Sequence, residues 1–273
     1  MSGRGRWLRR GRWLLCLGVA ACVGVQVVAL AADWRWYANR GPHLGDVLSV
    51  LDGSVADTLA SAGDDAAVAV DGLVRVRSCG LRPLRTGGIY SRGVEFYLDP
   101  GREDALIGTI ARQLPVADHP QRSASVAGGA APLTATMPRG VTLMVHQLGD
   151  GWVVATASTG CVAGPPQPAD PTAPAATPAA TAIDDLLDTL GSRPASLHQI
   201  DLACPGGHAV TVAAVSRATS SDRLPQRVAV PAGARRFPVA SANRVAYREG
   251  GTSVIVAGTD DGTAVTVEYT TGC

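Results

Sequence analysis

Six cysteines are the side chains of this sequence best suited to specific chemistry, and their spacing favours disulfide bonds over metal binding. Cys16 and Cys22 lie in an apolar run and act as small hydrophobic residues. The other four are Cys79, Cys161, Cys204 and Cys273. In an oxidising compartment an even number predicts two disulfides, for which three pairings exist. Zinc ligands come in close pairs such as C-x-x-C, so we expect no metal at these separated cysteines.

A repeated phrase selects among the three pairings. Residues 149–161 read GDGWVVATASTGC and residues 260–273 read DDGTAVTVEYTTGC, and each phrase closes a stretch that begins with an earlier cysteine. If the chain holds two copies of one module, the pairs Cys79–Cys161 and Cys204–Cys273 close each copy on itself. Bonds across loops of this length stabilise a fold by about 4–5 kcal/mol on chain-entropy grounds.

The histidines and carboxylates show no pattern that predicts catalysis or cofactor binding. The sequence has no nucleophile elbow, H-E-x-x-H, P-loop or G-x-G-x-x-G motif. The histidines lack metal-ligand spacing; they are His43, His119, His146, His198 and His208. Asp99, Glu103 and Asp104 suit the start of a helix, where the helix dipole favours carboxylates. We therefore predict no catalytic, cofactor-binding or metal-binding residues.

These residues leave open whether the protein is an enzyme. A cleft that brought together two or more of Asp99, Glu103, His119 and His146 would favour an enzyme, such as a hydrolase of wall polymers. A flat apolar patch of several hundred Å² would instead favour a binding surface.

Charge restricts the partners. All 24 basic residues are arginine, and five of them precede the apolar run, which leaves 19 arginines against 23 acids in residues 33–273. A mildly acidic body lacks the concentrated basic face that nucleic-acid binding needs. We therefore expect no nucleic acid as a partner, but another envelope protein or a wall component.

Residues 1–32 predict export. An arginine-rich start precedes the apolar residues 13–32, whose length matches a bilayer span. By the positive-inside rule the N-terminus is cytoplasmic, and residues 33–273 lie outside as part of a single-pass plasma-membrane protein. Two alternatives stay open: cleavage as a signal peptide at Ala29-Leu30-Ala31, which would secrete the body, and lipidation at Cys22.

The remaining sequence predicts an α+β fold of two related modules, residues 43–163 and 183–273. Each module begins with an amphipathic helix and continues as an antiparallel sheet with one intramodule disulfide. A further helix is predicted to start at Asp99-Pro100, as an N-cap followed by proline. Six prolines within residues 164–182 predict an extended spacer between the modules.

Each module closes with a predicted hairpin. The pairs Asp150-Gly151 and Asp261-Gly262 stand between runs rich in β-forming residues. A calcium loop would need several more oxygen ligands than either phrase supplies, so we interpret both as turns.

The layout resembles uncharacterised exported proteins of high-GC Gram-positive bacteria, which combine a membrane segment, α+β modules and strands that end in a T-G-C-like motif. The resemblance rests on STGC at 158–161, TTGC at 270–273 and VEFYLDPGREDAL at 94–106. It implies no activity. We expect a membrane-tethered, non-enzymatic cell-surface protein that binds or positions a partner; the alternatives are a cell-envelope enzyme that hydrolyses wall polymers and a structural spacer.

Overall fold

The computed structural model describes residues 42–81, 85–124, 129–168, 170–173, 177–204, 207–239 and 241–273. The predicted membrane segment, residues 13–32, lies outside these ranges. Within them, no helix is both long and apolar enough to cross a membrane.

The first module combines an antiparallel sheet with two helices. Its elements are α1 (Leu44–Ala60), β1 (Ala67–Val70), β2 (Val74–Leu81), β3 (Arg85–Tyr97), α2 (Glu103–Gln113), β4 (Gln121–Arg122), β5 (Leu133–Thr136), β6 (Thr142–Gly149) and β7 (Trp152–Ser158). Short 3-10 turns lie at Val116–Asp118 and Pro138–Gly140. The strand order is β1-β3-β7-β6-β5-β4, and β2 pairs with the first half of β3.

The second module repeats this arrangement. Its elements are α3 (Pro178–Thr189), β8 (Pro194–Cys204), β9 (Gly207–Ser216), α4 (Leu224–Arg227), β10 (Arg235–Phe237), β11 (Arg244–Glu249), β12 (Thr252–Gly258) and β13 (Val265–Thr271). Its order, β8-β9-β13-β12-β11-β10, is that of the first sheet, with β8 in the place of β1 and β2. The expected antiparallel α+β architecture with two sheet modules is confirmed.

Glycines at positive φ form the turns of both closing hairpins, and another such glycine explains why a predicted helix start is wrong. Gly151 and Gly262 have φ of +70° and +68°, in the left-handed region that glycine adopts without strain. Gly101 has φ of +88°, so Pro100-Gly101 form a turn and not a first helical turn. The helix therefore starts at Glu103, after Arg102, and not at Asp99-Pro100 as predicted.

Both disulfides are present in the expected pairing, with Cα atoms 6.0 Å apart for Cys79–Cys161 and 5.6 Å apart for Cys204–Cys273. The bonds join β2 in the first module and β8 in the second to the residues after the last strand of the same module, and each bond crosses the strand between them. Gly87 lies beneath the first crossing, where a Cβ would be 2.7 Å from the Val162 carbonyl oxygen. Any other residue at position 87 would bring its Cβ too close to this main-chain oxygen.

Helices cover the outer face of each sheet. In the first module α1 and α2 contribute Leu51, Val55 and Ile107 to a core with the sheet. In the second, α3 and α4 contribute Ile183 and Leu224. The first core also takes in three side chains of the β8–β9 hairpin, which are Ile200, Leu202 and Ala209.

The inner faces of the two sheets pack against each other. A third core joins Ala67, Ala69 and Tyr97 of the first module to Phe237, Ala246 and Ile255 of the second. Along β1 the alanines face this junction while Val68 and Val70 face the first core. The layers therefore run helices, sheet, sheet, helices.

The segment that we expected to be an extended spacer lies on the protein surface over its described residues. The carbonyl of Pro165 accepts a hydrogen bond of 2.6 Å from the Tyr90 hydroxyl. Thr172 bridges β8 at His198 in antiparallel fashion. Helix α3 already starts at Pro178, because Thr177 caps it and proline suits the first helical position.

Two ion pairs of Arg92, one with Asp52 and one with Asp170, attach the same segment to the first module. Arg92 is 5% exposed and forms ion pairs of 3.0 Å with Asp52 of α1 and 2.9 Å with Asp170. The other Asp170 oxygen accepts a hydrogen bond of 2.9 Å from the Leu73 amide. Burial raises the pKa of Asp52, against the lowering effect of Arg92. Strand, helix and spacer thus meet at one guanidinium.

We predict that the two modules unfold as one unit, which Phe237→Ala tests. This buried ring belongs to the second module and packs on the first, so its loss should cost about 3–5 kcal/mol of unfolding free energy. Urea denaturation should show a single transition at a lower midpoint. Val116→Ala, at an 88% exposed position, is the control and should change stability by less than about 0.5 kcal/mol. Two separate transitions would contradict the prediction.

Candidate functional site

One end of the junction between the sheets holds a charged cluster centred on Arg244. This residue opens β11, and its Nη1 lies 2.8 Å from Glu95 Oε2. The same nitrogen donates to the Tyr97 hydroxyl, which in turn donates to Glu95. The guanidinium carbon stands 4.4 Å from the Trp152 ring centre, a cation–π distance. Arg244 therefore ties the second sheet to β3 and β7 of the first.

Two further carboxylates face this cluster. Asp71 follows β1 and lies over Gly93, where a Cβ would collide with its carboxylate. Glu268 lies on β13, and its Oε2 is buried without a hydrogen-bond partner among the described residues. The charge of Arg244 therefore acts on three acids, and Asp71 also interacts with Arg92.

This excess of acids changes their protonation. Burial, together with the charges of Asp71 and Glu95, raises the pKa of Glu268 to about 8, against the lowering effect of Arg244. Burial and the charge of Glu95 likewise raise the pKa of Asp71 to about 6, although Arg244 and Arg92 lower it. At neutral pH Glu268 is therefore mostly protonated, which relieves the repulsion between the sheets.

The other end of the junction is an open cleft of about 240 Å³. Both modules line it. The polar side chains are Ser61, Asp65, Asp99, Arg102 and Thr109 from the first module and Arg235 from the second. Buried Ala62, Ala66 and Leu98 form an apolar floor.

Arg235 holds the two acids of the cleft. Its guanidinium lies 2.7 Å from Asp99 Oδ2 and 3.6 Å from Asp65 Oδ1. It also stands over the Phe237 ring at 4.8 Å. All three charged side chains are substantially exposed, since Asp65, Asp99 and Arg235 side chains keep 79%, 53% and 46% of their surface. They can therefore exchange partners with a bound molecule at modest cost.

The residues whose convergence would favour an enzyme do not meet here. Asp99 lines the cleft, but Glu103 is buried and accepts a 2.5 Å hydrogen bond from the Gly151 amide. His119 is exposed beyond α2, at a positive φ of 49°. His146 lines a separate hollow of about 320 Å³ beside β6, with its Nδ1 buried and without a partner in the described chain.

The other histidines have local roles. His43 precedes α1 as its N-cap, and the main chain of His198 bridges Thr172. His208 Nδ1 lies 3.1 Å from Asp201 at the surface. In the part of the chain that the structure describes, no three His, Cys, Asp or Glu side chains are placed to hold a metal ion.

Sequence reasoning missed the residues that make up the junction. Glu95 and Glu268 occupy alternating positions of strands, which in isolation predict a solvated face, and Asp71 directly follows β1. Arg235 and Arg244 carried no motif. Only the presence of a second sheet, packed on that face, turns these positions inward.

The raised pKa values predict that alkaline pH destabilises the junction. Folded Glu268, with a pKa of about 8 against an ordinary value of 4.5, binds more protons than the unfolded chain between these values. Stability should therefore fall as pH rises through that window. Glu268→Gln keeps a neutral group there and should flatten the fall in urea midpoint between about pH 5 and 8.5. Glu249→Gln, at an exposed position, should keep the original slope. If the urea midpoint of Glu268→Gln fell with pH as steeply as that of the wild type, Glu268 would not be the cause of the fall.

Comparison with known proteins yields no matching family model, curated protein or solved structure.

Proposed function

We propose that this chain is a non-enzymatic binding protein that acts outside the cytoplasmic membrane, tethered through residues 13–32. The junction cleft is its binding site, and the bound group is a small zwitterion, such as an amino acid or a peptide end of a wall component or envelope protein that carries both an ammonium and a carboxylate. The observation that carries the proposal is the cleft's paired charges, contributed by both modules over an apolar floor.

The cleft suits such a group by charge and size. An ammonium would replace Arg235 at Asp65 or Asp99, and a carboxylate would bind Arg102 or Arg235. The apolar floor would accept a short aliphatic side chain. A volume of about 240 Å³ is below that of drug-sized sites, which favours a small group over a polymer chain. Ligand sites also occur preferentially between domains.

The lack of a converging nucleophile and base in the described cleft supports binding over hydrolysis. Asp99 is the one member of the four candidate residues that lines it. Both carboxylates there are held by the same arginine, an arrangement that suits recognition of charge.

We predict that free amino acids or dipeptides bind the full-length protein, measured by calorimetry in detergent. Arg235→Ala should weaken binding by about ten-fold or more, because a charged hydrogen bond contributes about 1.5–3 kcal/mol. Arg236→Ala is the matched control, since that neighbour contacts the Pro225 carbonyl outside the cleft.

Purified wall polymer provides the second arm of this test. The protein should co-sediment with the polymer without releasing soluble fragments. Release of fragments would establish an envelope enzyme instead. Failure of every amino acid and dipeptide tested to bind would refute the cleft as the binding site.

A further inference from the structure

Strands β2 and β8, which carry the first disulfide cysteine of each module, have different environments, although both flank the equivalent strand of their sheets. In the second module the outer edge of β8 is paired. The Gln199 amide donates to the Pro171 carbonyl at 2.8 Å, and the Ala173 amide donates to the Leu197 carbonyl at 3.2 Å. Farther along β8, the side chains of Ile200 and Leu202 are buried in the first core. The outer edge of β8 is therefore paired with an extended segment at residues 197–199.

Beyond Leu73, strand β2, the counterpart of β8 in the first module, has no partner on its outer edge among the residues that the structure describes. Among the described strands β2 pairs with β3 alone. Asp170 covers its start at the Leu73 amide, and a bulge follows between Arg75 and Arg77. From Arg77 to Leu81 the pairing with β3 is regular. The side chains of Val74 and Val76 are 52% and 59% exposed.

The sequence around this edge is strongly basic. Residues 72–94 contain five arginines and no acid, whereas residues 33–273 as a whole contain more acids than arginines. Of these arginines, Arg92 is neutralised by Asp52 and Asp170. Arg77 is exposed on β2 itself, and Arg75 lies across β3 with its Nη2 2.7 Å from the Gly87 carbonyl.

We propose that the open edge of β2, residues Arg77–Leu81, binds an extended acidic segment of a partner protein by strand addition. The covered edge of β8 shows that this position of the fold takes an extended chain through main-chain hydrogen bonds. The exposed guanidinium of Arg77 selects acidic side chains on the added strand. It also opposes pairing with a second copy, because like charges on adjacent strands repel. This surface is separate from the junction cleft, so the proposal does not rest on the proposed function.

The probe is a fluorescent peptide of about eight residues with alternating glutamate and threonine, titrated onto the full-length protein in detergent. Arg77→Glu should weaken binding by about ten-fold or more, because attraction becomes repulsion. Arg193→Glu is the matched control, because the Arg193 side chain is 79% exposed on the surface of the second module. Binding of the peptide should change by less than about two-fold in this variant. The same peptide with all amides N-methylated keeps its charge but cannot donate to β2, and it should bind about ten-fold more weakly.

A second readout does not depend on the folding of a charge variant. A photo-crosslinking residue at Val76 should capture the peptide, and one at Val116, also exposed, should not. Equal binding of the N-methylated peptide, or equally tight competition by polyphosphate, would overturn strand addition in favour of a surface for anionic polymers. If Arg77→Glu and Arg193→Glu weakened peptide binding equally, or if the peptide did not bind at all, the β2 edge would not be the binding site.

Discussion

The burial of both faces of β1 is the constraint on which the arrangement of this molecule depends. Four residues alternate between two environments: Val68 and Val70 complete the core beneath the helices, and Ala67 and Ala69 meet the opposing sheet. The alanines matter because their small size lets Phe237 and Ile255 approach the first sheet closely. The charged cluster at Arg244 and the cleft at Arg235 lie at the two ends of this contact, so both follow from it.

Much of the framework could be predicted because its signals are local. The cysteine repeat predicted the pairs Cys79–Cys161 and Cys204–Cys273, and glycine after aspartate predicted both closing turns. Disulfide pairing and a turn glycine at positive φ each depend on only a few residues, so short sequence patterns are enough to predict them. The shared strand order extends the repeat to the whole topology.

The junction could not be predicted, for a physical reason. A strand that alternates apolar and polar residues has the same pattern whether its polar face meets water or another sheet. Glu268 and Glu95 therefore had the pattern of solvated side chains. The spacer presents the same difficulty. A proline-rich composition predicts that its backbone is extended, but not whether that backbone packs against the modules. Asp170 is one acid in that segment, and its pairing with Arg92 is visible only in three dimensions.

The β8–β9 hairpin has a consequence for how the chain acquires its structure. Ile200, Leu202 and Ala209 fill part of the core beneath α1, although they belong to the second repeat. A ribosome delivers residues 44–163 well before these three side chains exist. The first repeat must therefore wait, incompletely covered, until its neighbour emerges, and the two copies reach their final form together and not in succession.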